Sequence, residues 1–238
     1  MPLNYASVVS NFSGSRLDTY KLRLNCGDEA QTVEMFFLFQ DICSHLFTPL
    51  QMLEVTLRNG IHAAARAKRR QIDWYAHIAL TPESQRHLAA AQTSATRDLQ
   101  NIRIPTTDDI ICRLPFGFWV YMLSQTYRDT KPATNLWNQF NQKTLFPHAH
   151  GMTMKAIFSR LEIVNNLRNR LFHHEPIWSG YGVSDIDQAL KKIKEKHQLV
   201  TETLGWISAE QRDLLSAWGF EGRFNLACDA SRFNRRMW

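Results

Sequence analysis

The sequence predicts an all-α protein, and three observations carry that expectation. Apolar residues recur at steps of three and four along most of the chain, the period of a helix with one buried face. Helix-capping residues stand just ahead of several of these runs. Glycine and proline are scarce, 10 and 8 of 238 residues, too few for the many turns of an all-β sandwich or for long linkers.

Taken in order, residues from about 5 to 24 form a first helix with an irregular end near "NCGDE". From about 29 to 70, Phe36, Phe39, Ile42, Leu46, Leu50, Leu53, Leu57 and Ile61 share one face. Pro49 kinks or splits that run. It ends in "RAKRR" at 66–70, basic residues that suit the negative end of a helix. Thr81 caps a helix with Pro82 at its first position and Glu83 in its first turn. "TTDDIICRLPFGFWVYMLSQTY" opens on capping residues, with Pro115 and Gly117 as breaks. "NLWNQFNQKTLFP" is a short helix ending at Pro147, and "HAHGMT" a loop. "TMKAIFSRLEIVNNLRNRLFHHEP" is a long helix stopped by Pro176. Ser184 caps an amphipathic helix whose stripe is Ile186, Leu190, Ile193, Val200 and Leu204. Ser208 and Gln211 form a capping box, and the basic, aromatic tail 221–238 has no clear period. The expected organisation is a single all-α domain over 1–238.

Lys and Arg number 28 against 22 Asp and Glu, a net charge of +6, which suits a phosphate-bearing partner without specifying one. Cys26, Cys43, Cys112 and Cys228 lack metal-ligand spacing and form no disulfide framework. They read as reduced thiols, and with no secretion signal in "MPLNYASVVSNF" the expected location is cytoplasmic. The most apolar run, 33–57, contains Glu34, Gln40, Asp41, His45 and Glu54, which a membrane span tolerates poorly, so no membrane partner is expected.

The densest chemistry lies in "NNLRNRLFHHEPIW", residues 165–178. On a helical wheel, Asn165, Asn169 and His173 form a polar column at i, i+4 and i+8, with Arg168 on its edge. Arg168 and His173 stand roughly 7.5 Å apart along the axis and ~140° around it, so they converge on a ligand rather than on each other. Histidine exchanges protons near neutral pH, and arginine makes paired hydrogen bonds to phosphate. The pair suffices for RNA transesterification, with no metal or other cofactor. The structural alternative is a capped, solvated helix end, since Arg and His suit the C-terminal dipole.

Arg168–Asn169–x–x–x–His173 resembles the R-x4-6-H motif of the HEPN superfamily. "LRNRLFHHEPIW", "LEVTLRNGIH", "LPFGFWVYMLSQTY", "LWNQFNQKTLFPHA" and "LGWIS", in that family's order along the chain, resemble its Abi-like (abortive infection, AbiD/AbiF type) members over residues 35–225. The resemblance implies a HEPN-type helical bundle with additional helices, whose motif helix covers about 153–175. It implies a homodimer joined through the HEPN helices and a metal-independent endoribonuclease of phage defence or toxin–antitoxin systems, held by an antitoxin RNA or protein. Arg168 and His173 would be catalytic and Asn169 would orient the site. Some HEPN proteins only bind RNA or a partner, and that is the second reading.

Asn165 and His174 are expected to support the site, His174 beside Glu175. It is also the alternative catalytic histidine, at a five-residue gap. The echo "LRNGIH" offers an auxiliary polar cluster of Glu54, Arg58 and Asn59, or simply an ion pair between Glu54 and Arg58. Arg66, Lys68, Arg69, Arg70, Arg232, Arg235 and Arg236 could grip RNA, with Phe224, Phe233 and Trp238 stacking on bases. No H-E-x-x-H pairing supports a metal.

Overall fold

The computed structural model describes residues 4–12, 14–100, 102–128 and 131–233, leaving aside the side chains of Ser15 and Gln139. The described residues form helices and turns with no strand, so the chain is all-α. It divides into two compact units. The first comprises Met1–Gln51, Asn166–Glu202 and Glu210–Trp238, and the second Met52–Asn165 and Thr203–Ala209.

The expected first helix is two, α1 (Tyr5–Phe12) and α2 (Gly14–Arg23), and both pack on α3 (Glu29–Ser44). Asp28 caps α3 by accepting the Gln31 N–H at 2.7 Å. The long apolar run then breaks at His45–Leu46, where tight turn bonds to Ile42 and Cys43 replace helical ones, and α4 runs from Phe47 to Arg69. Pro49 therefore lies in the first turn of α4, where its missing N–H has no helical carbonyl to meet. All eight residues of the predicted stripe, Phe36 to Ile61, are buried.

In the second unit, α5 (Pro82–Asp98) starts as expected, with Thr81 accepting the Ser84 N–H. A capping box of Thr106 and Asp109 opens α6 (Thr107–Ile111). Pro115 precedes α7 (Phe116–Tyr121), but Gly117 sits inside that helix and breaks nothing. The short α8 (Gln125–Arg128) is followed by α9 (Gln139–Leu145), boxed by Asn138 and Asn141. Trp74, Phe116, Phe118, Trp119 and Tyr127 are at most 1% exposed, and each fully buried aromatic ring of this size contributes ~1.5–3 kcal/mol or more.

The motif helix α10 spans Met154–Phe172 and buries Ile157, Leu161, Val164, Leu167 and Leu171. It ends four residues before Pro176, so the proline does not stop it. Then comes α11 (Ile186–Ile207). Its cap is Asp185 rather than Ser184: Asp185 Oδ1 accepts the Gln188 N–H at 2.8 Å, and Gln188 Oε1 accepts the Ser184 N–H at 2.8 Å. His197 fills the step in the α11 stripe between Ile193 and Val200; it is buried and stacks on Phe224 at 3.9 Å.

α12 (Ala209–Ala217) turns into α13 (Phe220–Ala227) through Gly219 at φ 72°, a left-handed conformation that glycine adopts without a Cβ penalty. Part of the tail 221–238, which has no clear period in the sequence, is thus helical and packed. In the first unit, Tyr20 and Phe39 meet Trp178 at 5.2 and 5.1 Å, and Phe39 meets Phe233 at 5.3 Å.

Candidate functional site

The last turns of α10 hold the candidate residues. The helix closes with two crossed bonds: the Glu175 N–H reaches the Arg170 carbonyl at 2.9 Å and the His174 N–H reaches the Leu171 carbonyl at 3.0 Å. This is a Schellman closure. It needs a left-handed residue after the cap, and His174 supplies it at φ 56°. His173 is the cap itself, its N–H still bonded to the Asn169 carbonyl at 3.0 Å. The two histidines therefore differ in role. His173 continues the helical path with an exposed side chain, whereas His174 takes the left-handed turn that ends the helix.

The expected partnership of His174 with Glu175 does not form. Arg170 takes Glu175 instead, donating Nε to Oε2 at 3.1 Å. Its Nη2 donates to the Pro176 carbonyl at 2.8 Å and to Ser179 Oγ at 3.2 Å. One guanidinium thus staples the segment that leaves the helix. Lys196 on α11 donates to the Ile177 carbonyl next to it. Burial, with Arg170 and Lys192 nearby, pulls the Lys196 ammonium down to about 8.

Asn169, His173 and His174 are exposed and Arg168 is half-buried. The Arg168 guanidinium carbon lies 4.2 Å from the centre of the Phe172 ring, an attraction between the cation and the ring face. Phe172 in turn meets Phe47 edge to face at 5.2 Å. The two rings were not singled out from the sequence, although Arg168 and Phe172 stand at i and i+4, the spacing at which helical side chains touch. Asn165, the head of the predicted column, behaves differently. It is only 7% exposed and lies beside Gly117, whose missing Cβ would sit 3.6 Å from its amide. The column is thus split between a packed end and an open one.

The echo belongs to the second unit. There Arg58 donates to Asn59 at 3.3 Å, and Glu54 is half-buried. The best-defined polar group is one that sequence reasoning passed over: Trp74 Nε1 donates to His62 Nδ1 at 3.1 Å. That bond holds the proton of neutral His62 on Nε2. Burial lowers the His62 pKa, Asp108 opposes that shift and Arg66 adds to it.

Among the expected RNA-gripping residues, Arg66, Lys68 and Arg70 are exposed. Arg69 is turned inward, donating to the Pro132 and Asn135 carbonyls at 3.0 and 2.8 Å. Arg232 also has internal partners, Asp41 at 2.8 Å and the Ala227 carbonyl at 3.0 Å. Phe224 and Phe233 are buried and cannot stack on a base. Arg235, Arg236 and Trp238 lie outside the described residues.

A groove of about 910 Å³ runs along α11 and α13, lined by Lys191, Lys194, Asp187, Glu195 and Asp229 among others. Its charge is mixed, and it contains none of the α10 residues. Among the described residues, no three His, Cys, Asp or Glu side chains converge to hold a metal ion, and no helix is long and apolar enough to cross a membrane. The chain matches no family model, no curated protein and no solved structure.

Proposed function

We propose that the chain is a metal-independent endoribonuclease of the HEPN type, working as a homodimer in bacterial phage defence or as a toxin under an antitoxin. The observation that supports this most is the end of α10. An exposed histidine at the helix cap stands one turn beyond an exposed asparagine, and next to them an arginine is held against a ring.

In this scheme His173 removes the proton from a ribose 2′-hydroxyl. The freed oxygen attacks the adjacent phosphorus and the bond to the 5′-oxygen breaks. Arg168 stabilises the charge that builds on the phosphoryl oxygens. His173 of the second copy protonates the leaving 5′-oxygen. The products are a 2′,3′-cyclic phosphate and a 5′-hydroxyl, and Asn169 orients the phosphate.

The test is cleavage of RNA in EDTA by the wild type, His173→Ala and Arg168→Ala. Loss of a general acid–base group lowers the rate by about 10²–10⁴-fold. The proposal fails if EDTA abolishes cleavage or if His173→Ala cuts as well as the wild type. The second reading is a non-catalytic RNA-binding or complex-forming module. The exposed Phe47 and Phe172 rings with the half-buried Arg168 against them favour it, because cation and ring bind nucleic acid without chemistry. It predicts RNA binding weakened by Arg168→Ala and no cleavage by any form.

A further inference from the structure

We infer that Phe47 and Phe172, with the Arg168 guanidinium against them, form a subsite that stacks one unpaired nucleobase next to the proposed cleavage position. The inference rests on the reading that this end of α10 receives RNA, and it specifies which part of the RNA the protein grips.

Both rings come from helix termini within one unit. Phe47 is the first residue of α4, and Phe172 is the last of α10. They are 38% and 48% exposed, unlike Phe36, Phe39, Phe116 and Phe118, which are at most 6% exposed. Their planes meet at 77°, so they form a corner rather than a sandwich. A flat base lies against one ring and sets its edge on the other, the two arrangements that aromatic groups favour. Arg168 adds a delocalised cation at the same corner, able to stack on a base or to hold the neighbouring phosphate. His173 follows Phe172 directly in the chain. The proposed base site thus lies at the same end of α10 as the proposed acid–base group.

The two rings by themselves fall well short of a protein–protein interface. They expose roughly 170 Å² together, taking ~200 Å² for a whole phenylalanine. A stable protein interface buries ~800 Å² on each partner. A patch of this size with a cation at its edge matches a single base. A base paired within a duplex is already stacked on both faces, so the occupant is an unpaired nucleotide.

The experiment measures binding of a fluorescein-labelled single-stranded RNA 12-mer and of a blunt RNA duplex of equal length by anisotropy. The full chain carries His173→Ala so that nothing is cut during the measurement. Phe47→Leu and Phe47→Ala are added in that background, with Phe47→Tyr as the conservative control. Phe47 is replaced because Phe172 also supports Arg168.

The expected result is single-strand binding weakened about 5- to 150-fold by Leu and Ala and retained by Tyr, with duplex binding unchanged. In parallel, 5-iodouridine placed along the single strand photocrosslinks to Phe47 or Phe172. The inference is overturned if Phe47→Leu binds the single strand as tightly as its parent, or weakens both RNAs equally. It is also overturned if Phe47→Leu changes the sedimenting mass, which would assign the rings to contact between copies. Turnover by the otherwise wild-type chain separates the two ideas. Single-strand binding through Phe47 without cleavage keeps the subsite and removes the nuclease. Cleavage with an unchanged KM in Phe47→Leu removes the subsite alone.

Discussion

Replacing His174 tests the division of labour between the paired histidines. His174 holds the left-handed position of the α10 closure at φ 56°. A residue with a Cβ pays ~1–2 kcal/mol in that conformation, although histidine is one of the side chains that enter it more readily. Glycine removes the strain but brings back ~0.5–1 kcal/mol of unfolded-chain entropy. His174→Gly is therefore expected to leave stability unchanged or to raise it by up to about 1.5 kcal/mol. His174→Val places a β-branched residue where it fits worst and costs about 1–2 kcal/mol. For a chain of this length, 1 kcal/mol corresponds to about 2–4 °C in Tm. The ordering expected from thermal melts is His174→Gly at or above the wild type, with His174→Val about 2–8 °C below. Cleavage assays on the same proteins complete the test, because His174→Gly keeps RNase activity if His173 carries the chemistry. A melt in which Gly is as damaging as Val refutes the closure argument. Loss of cleavage in a stable His174→Gly moves the catalytic assignment to His174.

Three further outcomes follow from the same geometry. Arg170→Met removes the bonds to Glu175, Pro176 and Ser179; it is expected to cost about 1–3 kcal/mol and to speed hydrogen exchange at residues 175–179, and unchanged exchange there rules out the staple. Burial lowers the His62 and His197 pKa values, so on acidification the unfolded chain takes up protons before these folded sites do. The stability they contribute is complete above the unfolded value of about 6.5 and is lost as pH falls below it, so Tm drops between pH 7 and 5. His62→Gln, which still accepts from Trp74, flattens that drop, and an identical slope in the variant contradicts it. Cys43 and Cys228 are pushed up to about 12 and 11 by burial, and Cys26 is raised by the same cause, while Cys112 is exposed; a thiol reagent should modify one cysteine per native chain, and two fast-reacting thiols would contradict this.

The sequence is informative where one local rule decides, and silent where distant segments meet. Helical periodicity places every buried residue of the Phe36–Ile61 stripe, and Thr81 caps α5 as its type and position require. The breaks do not fall at the prolines. Pro49 was expected to break the run, yet the chain breaks at His45–Leu46 and leaves the proline in a harmless first turn. Pro176 is expected to end α10, yet the helix ends four residues earlier at Phe172, closed by the left-handed His174. A left-handed histidine has no composition signature, and the Arg170 and Lys196 bonds that hold the segment beyond it follow from no local spacing rule.

The candidate site divides along the same line. Arg168, Asn169 and His173 follow from spacing on one helix. Phe47 lies more than a hundred residues away and enters only through its contact with Phe172. Gly60 makes the same point from inside the echo "LRNGIH". Within α4 a glycine looks like a local defect of ~1 kcal/mol against alanine, but a Cβ there would overlap the buried Leu145 side chain. That segment is better understood as a close-packing position with His62 bonded to Trp74 than as a second copy of the α10 chemistry.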